Sequence, residues 1–272
     1  MNAKKKQVKV IVLRTAGTNC DQETAYAFSH FGAKCELVHI HQLIHQEVDL
    51  NDFHILAIPG GFTYGDNIES GRILANELTL YLGRSVERFL KKKRLVIGIC
   101  NGFQVLVKAG ILPGSLKKGE QGKRAFRQNS TLTVNDSAKF EDRWVYLKTS
   151  SQSVWTKNLP EIVYFPVAHA EGKFVPADKE VLIDLKKNHQ IAFQYTAVND
   201  QQPAYPENPN GSVDHIAGIT DASGRVLGLM PHPERHFSFY QHPFWSRRTK
   251  TSEYGDGAKI FENGVNYIKK HL

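Results

Sequence analysis

Sulfur is scarce in this chain: three cysteines and two methionines in 272 residues. Cys20, Cys35 and Cys100 form an odd set, with neither a Cys-x-x-Cys pair nor Cys/His metal-ligand spacing. That excludes a disulfide framework and a zinc site from the expectation and points to a reducing compartment. No apolar run approaches the roughly 18 residues a bilayer demands. The basic opening MNAKKKQVKVIVLR is closed by Arg14 after a core too short for a signal peptide. There is no Gly-rich phosphate loop of the GxxxxGK[ST] kind, no internal repeat and no linker. The expectation is a cytoplasmic protein without a membrane segment, folded as a single domain over 1–272 with a polar C-terminal extension at about 237–272.

Acidic residues are outnumbered, 27 against 35 basic ones, for a formal net charge of +8 and a pI near 9.3. Such a balance favours anionic partners. The basic residues fall in short clusters, KKK at 4–6, KKKR at 91–94, KKGEQGKR at 117–124 and RRTK at 247–250, with no aromatic residues interleaved. They read as solvated helix ends, and no nucleic acid is expected. A basic, non-enzymatic binding module is the alternative that rests on charge alone.

Against these absences stands a regular pattern. VKVIVL (8–13), CELVHI (35–40), FHILAIPGG (53–61) and RLVIGIC (94–100) read as strands. Between them lie helical segments: DQETAYAFSHFG, with Ala27, Phe28 and Phe31 on one face, and the stretch carrying Leu74, Leu78, Tyr81 and Leu82. QVLVKAG closes the series as a short helix ending at Gly110. Alternation of this kind predicts an α/β fold with an open, mostly parallel sheet and helices on both faces. Beyond Pro113 the runs STLTVN, WVYLKTS, EIVYFPVAHAEGKFV, VLIDLKKNHQIAFQYT and HIAGITDASGRVLGLM predict a β-rich, partly antiparallel second half. QQPAYPENPNGS (201–212) is a polar loop, either a functional flap or plain surface. Ile260, Phe261, Gly264, Val265 and Ile268 predict a last helix.

One stretch demands chemistry. In LVIGICNGFQVL the strand ends at Cys100, with Gly98 two residues before and Gly102 two after. A buried structural thiol needs no such framing. Between a strand and a helix, Gly-x-Cys-x-Gly is the cysteine form of the nucleophile elbow, in which only glycine leaves room for so sharp a turn. The turn aims the sulfur at the first amides of the next helix, whose partial positive charge stabilises an anion. Attack on an amide then needs an acid for the leaving nitrogen and donors for an oxyanion. His232 in LGLMPHPER is the candidate acid, because Pro233 holds it in extended geometry and Glu234 can share its side and fix its tautomer. For the oxyanion, Asn101 offers one backbone N–H, and Gly61 in the PGG turn offers another.

Taken together, GICNGFQ (98–104), PGGFTYGD (59–66) and MPHPERH (230–236) resemble the class I, triad-type glutamine amidotransferases. More narrowly, GTNCDQE (17–23), PVAHAEGKF (166–174), NPNGS (208–212) and GLMPHPER (228–235) are similar to the glutaminase subunits of phosphoribosylformylglycinamidine synthase, of de novo purine synthesis. DNIESGRIL (66–74) departs from the usual pattern, and the chain runs longer after PHPER than the compact members do.

The resemblance implies a flavodoxin-like class I glutaminase fold and a glutamyl thioester at Cys100, formed from L-glutamine with release of ammonia and then hydrolysed to glutamate. It implies Gln104 as a residue holding the substrate and the backbone of Ala170, Glu171 and Gly172 as lining of the glutamine pocket. It further implies a synthetase partner that takes the ammonia through a channel and uses ATP and magnesium, with a small assembly subunit as a further partner. No cofactor or metal is expected in this chain. A thiol hydrolase, deglycase or redox protein of the DJ-1 type is the rival enzyme reading; Gln104 and His-Pro-Glu argue against it. Cys20, with no base in view along the sequence, reads as structural or interfacial.

Overall fold

A computed structural model describes residues 7–114, 116–118, 124–150, 153–198 and 202–272. The KKK cluster at 4–6 lies outside them, as does part of the KKGEQGKR cluster and Gln201 at the start of the polar loop. The first half runs β1 (Lys9–Arg14), α1 (Asp21–His30), β2 (Lys34–His39), α2 (Ile40–Ile44), β3 (Ile55–Ile58), α3 (Arg72–Leu80), α4 (Gly83–Lys91), β4 (Leu95–Ile99) and α5 (Asn101–Lys108). The second half holds β5 (Leu116–Lys118), β6 (Arg124–Phe126), β7 (Ser130–Thr133), β8 (Glu141–Thr149), β9 (Ile162–His169), β10 (Lys173–Pro176), α6 (Lys179–Lys187), β11 (Ile191–Tyr195), β12 (Ile216–Thr220), β13 (Val226–Leu229) and α7 (Ala258–His271).

A nine-stranded sheet in the order β2-β1-β3-β4-β13-β12-β11-β8-β9 forms the frame. From β2 through β13 neighbours pair in parallel, and from β13 through β9 they pair antiparallel. The parallel part and the antiparallel extension are those the sequence predicts. Every residue of β3 and β4 is buried, as central parallel strands covered on both faces require. The chain passes from β1 to β2 in one direction and from β3 to β4 in the other, so right-handed crossovers put α1 and the α3–α4 pair on opposite faces. Phe28 of α1 meets Phe261 of α7 edge to face, ring centroids 5.0 Å apart, and Trp155 lies against Gly264 of α7. The last helix is thus part of the packing on the α1 face.

Local expectations fail where caps outweigh composition. VLIDLKK is the helix α6, not a strand: the Asp178 side chain accepts from the Val181 N–H at 2.9 Å, and Lys186 and Lys187 sit in the last turn. EIVYFPVAHAEGKFV is two strands, β9 and β10, broken at Ala170–Gly172. Tyr81 does not continue the buried stripe; it ends α3 with 66% of its surface exposed. The chain restarts at Gly83 as α4, which carries the exposed Lys91 at its end.

Candidate active site

The carboxyl ends of parallel strands meet where their order reverses, and open α/β sheets bind ligands there. Here four adjacent strands contribute: β1 leads into Thr15–Cys20, β3 into Gly60–Phe62, β4 into Cys100 and β13 into His232. Register pairs Ile58 with Gly98 and Leu229 with Ile99, so the strand ends are level.

Cys100 occupies the left-handed region, φ 51° and ψ −107°, a conformation that strains any residue with a side chain by roughly 1–3 kcal/mol. Its N–H donates to Leu229 O at 2.8 Å, which pins the turn to β13. The flanking glycines explain themselves. A Cβ on Gly98 would fall 2.5 Å from Gly102 O, and one on Gly102 would fall 1.9 Å from Ile58 O. Helix α5 therefore rests directly on backbone. Gly102→Ala is expected to destabilise the fold by about 3 kcal/mol and to lower the midpoint in a denaturant titration, since Ile58 O cannot move aside.

His232 is buried, and its Nδ1 lies 2.6 Å from Glu234 Oε1. Its backbone N–H donates to Pro166 O at 2.8 Å. His232 itself is extended, as the residue before proline should be, but Pro233–His236 turn into a 3-10 helix. The carboxylate reaches the ring through that turn and not along an extended strand. Burial disfavours a charged ring; Glu234 overrides it, with help from Cys100 and Cys20, and holds the His232 pKa well above the ordinary value. His232 Nε2 and Glu234 Oε2 are buried without hydrogen-bond partners among the described residues. Nε2 is the nitrogen left free to exchange a proton. A Cβ on Gly60 would stand 2.7 Å from His232 Cε1 and 3.4 Å from Cys100 Cβ, so ring and thiol close on the same glycine.

Gly61 has φ 148° and is strapped by the Gly17–Cys20 segment: Asn19 and Cys20 N–H both donate to Gly60 O, and Phe62 N–H donates to Gly17 O. Among the described residues no backbone carbonyl takes the N–H of Gly61 or of Asn101. Both amides are available to an oxyanion. The Asn101 side chain turns inward, donating to Gln104 Oε1 at 2.9 Å and to Asp66 Oδ1 at 3.3 Å.

Gln104 is buried rather than on an open helix face. Its Nε2 donates to Glu171 O at 2.6 Å, so it anchors the Ala170–Gly172 turn beside the thiol, whose Sγ lies 3.6 Å from Ala168 O. Behind that turn is a buried polar network that sequence reading missed. Asn135 Oδ1 accepts from Gly172 N–H at 2.9 Å and lies 3.2 Å from His169 Nδ1. Asn210 donates to Tyr195 OH at 3.0 Å, and Ser212 Oγ accepts from Phe174 N–H. Burial, reinforced by the charge on His232, drives the His169 pKa down to about 3, so the ring stays neutral. The end of the polar loop is therefore interior, packed behind that turn: Asn208, Asn210 and Ser212 are all buried. Polar residues inside apolar runs, such as Asn135 after STLTV, were the available signal.

Cys20 does have a base beside it, contrary to its reading from sequence. It is buried with Sγ 3.9 Å from His232 Nδ1, accepting from Arg235 Nη2 at 3.1 Å. Burial raises its pKa despite the His232 contact. Ligand atoms of Cys20, His232 and Glu234 lie within 4.8 Å of one another. Arg235 donates to the Cys20 sulfur and His232 Nδ1 pairs with Glu234 Oε1, and a cation would meet the guanidinium.

Residues 7–268 match the family model of CobB/CobQ-like glutamine amidotransferase domains. The phosphoribosylformylglycinamidine synthase subunit PurQ of Dehalococcoides mccartyi is 45% identical, covering 97% of this chain and 99% of its own. Its namesake from Archaeoglobus fulgidus is 43% identical over 98% and 99%. Among solved structures, PurLQS from Thermotoga maritima aligns with a TM-score of 0.69 at 27% identity, covering 97% of this chain and 100% of that one. The glutaminase domain of Trypanosoma brucei CTPS shares the fold, with a TM-score of 0.54 at 13% identity.

Proposed function

The chain belongs to the glutamine amidotransferase family, and from that membership we propose that it is the glutaminase subunit of a phosphoribosylformylglycinamidine synthase in purine biosynthesis. It hydrolyses L-glutamine to glutamate and ammonia and hands the ammonia to a synthetase subunit. Cys100 attacks the side-chain amide carbon, and the tetrahedral oxyanion takes hydrogen bonds from the Gly61 and Asn101 amides. His232 Nε2 delivers a proton to the departing nitrogen while Glu234 steadies the imidazolium. Ammonia leaves, a Cys100 thioester remains, and water activated by the same ring releases glutamate. Gln104 and the backbone of Ala170, Glu171 and Gly172 form the substrate wall. The observation that carries this reading is a left-handed cysteine at a strand end facing an imidazole already paired to a buried carboxylate.

ATP and magnesium belong on the synthetase side, where an amide oxygen of formylglycinamide ribonucleotide is activated. The residues 1–272 act as one cytoplasmic domain, the stretch from about 237 to 272 included.

The test is co-purification with the cognate synthetase and a glutaminase assay with and without formylglycinamide ribonucleotide and ATP. The isolated chain is expected to hydrolyse glutamine slowly, and the loaded complex about tenfold faster or more. Vigorous hydrolysis by the chain alone overturns the coupling.

A further inference from the structure

A lysine lies under the glutamine pocket with no access to water. Lys108 stands at the end of α5, the helix that begins after the nucleophile, and its side chain is 0% exposed. Burying an ammonium is unfavourable unless its hydrogen bonds and charge are met. Here Nζ donates to Ser70 O at 2.6 Å and lies 3.5 Å from Glu69 Oε1 and 3.7 Å from Glu171 Oε2. Burial lowers its pKa, and the two carboxylates oppose that shift.

These partners belong to two walls of one site. Ser70 and Glu69 sit in the 66–71 segment, which packs on α5 so closely that a Cβ on Gly71 would fall 2.9 Å from Val105 Cγ2. Glu171 is the centre of the turn between β9 and β10. Its Oε2 also accepts from Ser70 N–H at 3.3 Å, while its carbonyl is held by Gln104. Arg72 braces Glu69 from the solvent side, Nε to Oε2 at 2.8 Å. The backbone on either side of the pocket is thereby tied to one buried cation.

We propose that Lys108 is a positioning residue for glutamine: it clasps the Asp66–Gly71 segment to the Glu171 turn and so sets the width of the substrate pocket. The inference rests on the glutaminase reading above. Lys108 touches no reacting atom, and its loss widens the pocket without disturbing Cys100, His232 or Glu234. Apparent affinity for glutamine falls, while the chemical step at saturation is spared.

The experiment uses the chain assembled with its synthetase, comparing wild type with Lys108→Met and the milder Glu69→Gln, each checked for complex formation and thermal melting. For Lys108→Met, KM for glutamine is expected to rise about tenfold with kcat within about threefold, and Glu69→Gln to raise KM about two- to threefold. Synthesis from free ammonia stays unchanged in both. A folded Lys108→Met complex with unaltered KM overturns the clasp, as does a fall in kcat with KM unmoved. If Lys108→Met fails to assemble, Glu69→Gln decides alone, and an unchanged KM there overturns the proposal. A wild-type complex without glutaminase activity refutes instead the function on which it rests.

Discussion

Cys100→Ala is expected to lower glutamine-dependent synthesis by about 10⁴-fold or more and to leave synthesis from added ammonia at the wild-type rate. The sulfur forms the only bond between protein and acyl group, so no other residue can share the load. The proposed donors at Gly61 and Asn101 are backbone amides and persist in the variant, so glutamine is expected still to bind. KM for glutamine should not enter the loss, because no turnover remains to report it; equilibrium binding of labelled glutamine to the variant measures affinity directly. The alanine also keeps the left-handed backbone at φ 51°, so the melting temperature should change little. The check is a paired assay, glutamine against ammonium salt, on one preparation of the complex. Appreciable glutamine-dependent turnover by the alanine variant contradicts the nucleophile assignment.

Glu234→Gln is expected to reduce kcat by about 10²- to 10⁴-fold and to destabilise the chain by about 3–5 kcal/mol. Both side chains of the pair are almost wholly buried, so solvent does not screen the loss. The amide fills the same space but cannot balance an imidazolium, and it can present its NH₂ to Nδ1 and favour the wrong tautomer. The pH dependence follows from the direction of the shift. His232 titrates higher in the folded chain than in the unfolded one, so its contribution to stability is complete below about pH 6.5 and fades as pH climbs through the raised folded-state value. The substitution should flatten that limb. Denaturant titrations of both proteins at a series of pH values measure this, and parallel curves for the two would contradict the pairing.

The parallel half of the fold and the central trio were legible because each is written locally. Gly98, Cys100 and Gly102 sit within five residues, and Glu234 is two from His232, so spacing marks both pieces of the candidate site, although the carboxylate reaches the ring through a turn and not along an extended strand. The assembly around Glu171 is different. Gln104 meets it across 67 residues, Asn135 meets Gly172 across 37, and Asn210 reaches His169 and Tyr195 from a loop. No periodicity encodes such meetings; they arise where the chain leaves β9 at the sheet edge and continues as β10 against β7. The base beside Cys20 was out of view for the same reason, since its neighbour His232 is 212 residues away. Helix α6 failed on a shorter scale, where Asp178 as a cap outweighed β-branched residues.

The bend at Cys100 is held against its own preference by Leu229, Ile58 and the body of α5. A chain emerging from synthesis, with β13 still unmade, therefore carries only an ordinary relaxed cysteine at this point. Copies that do not yet hold β13 also lack His232, which follows it, so the bend and the imidazole come to Cys100 together.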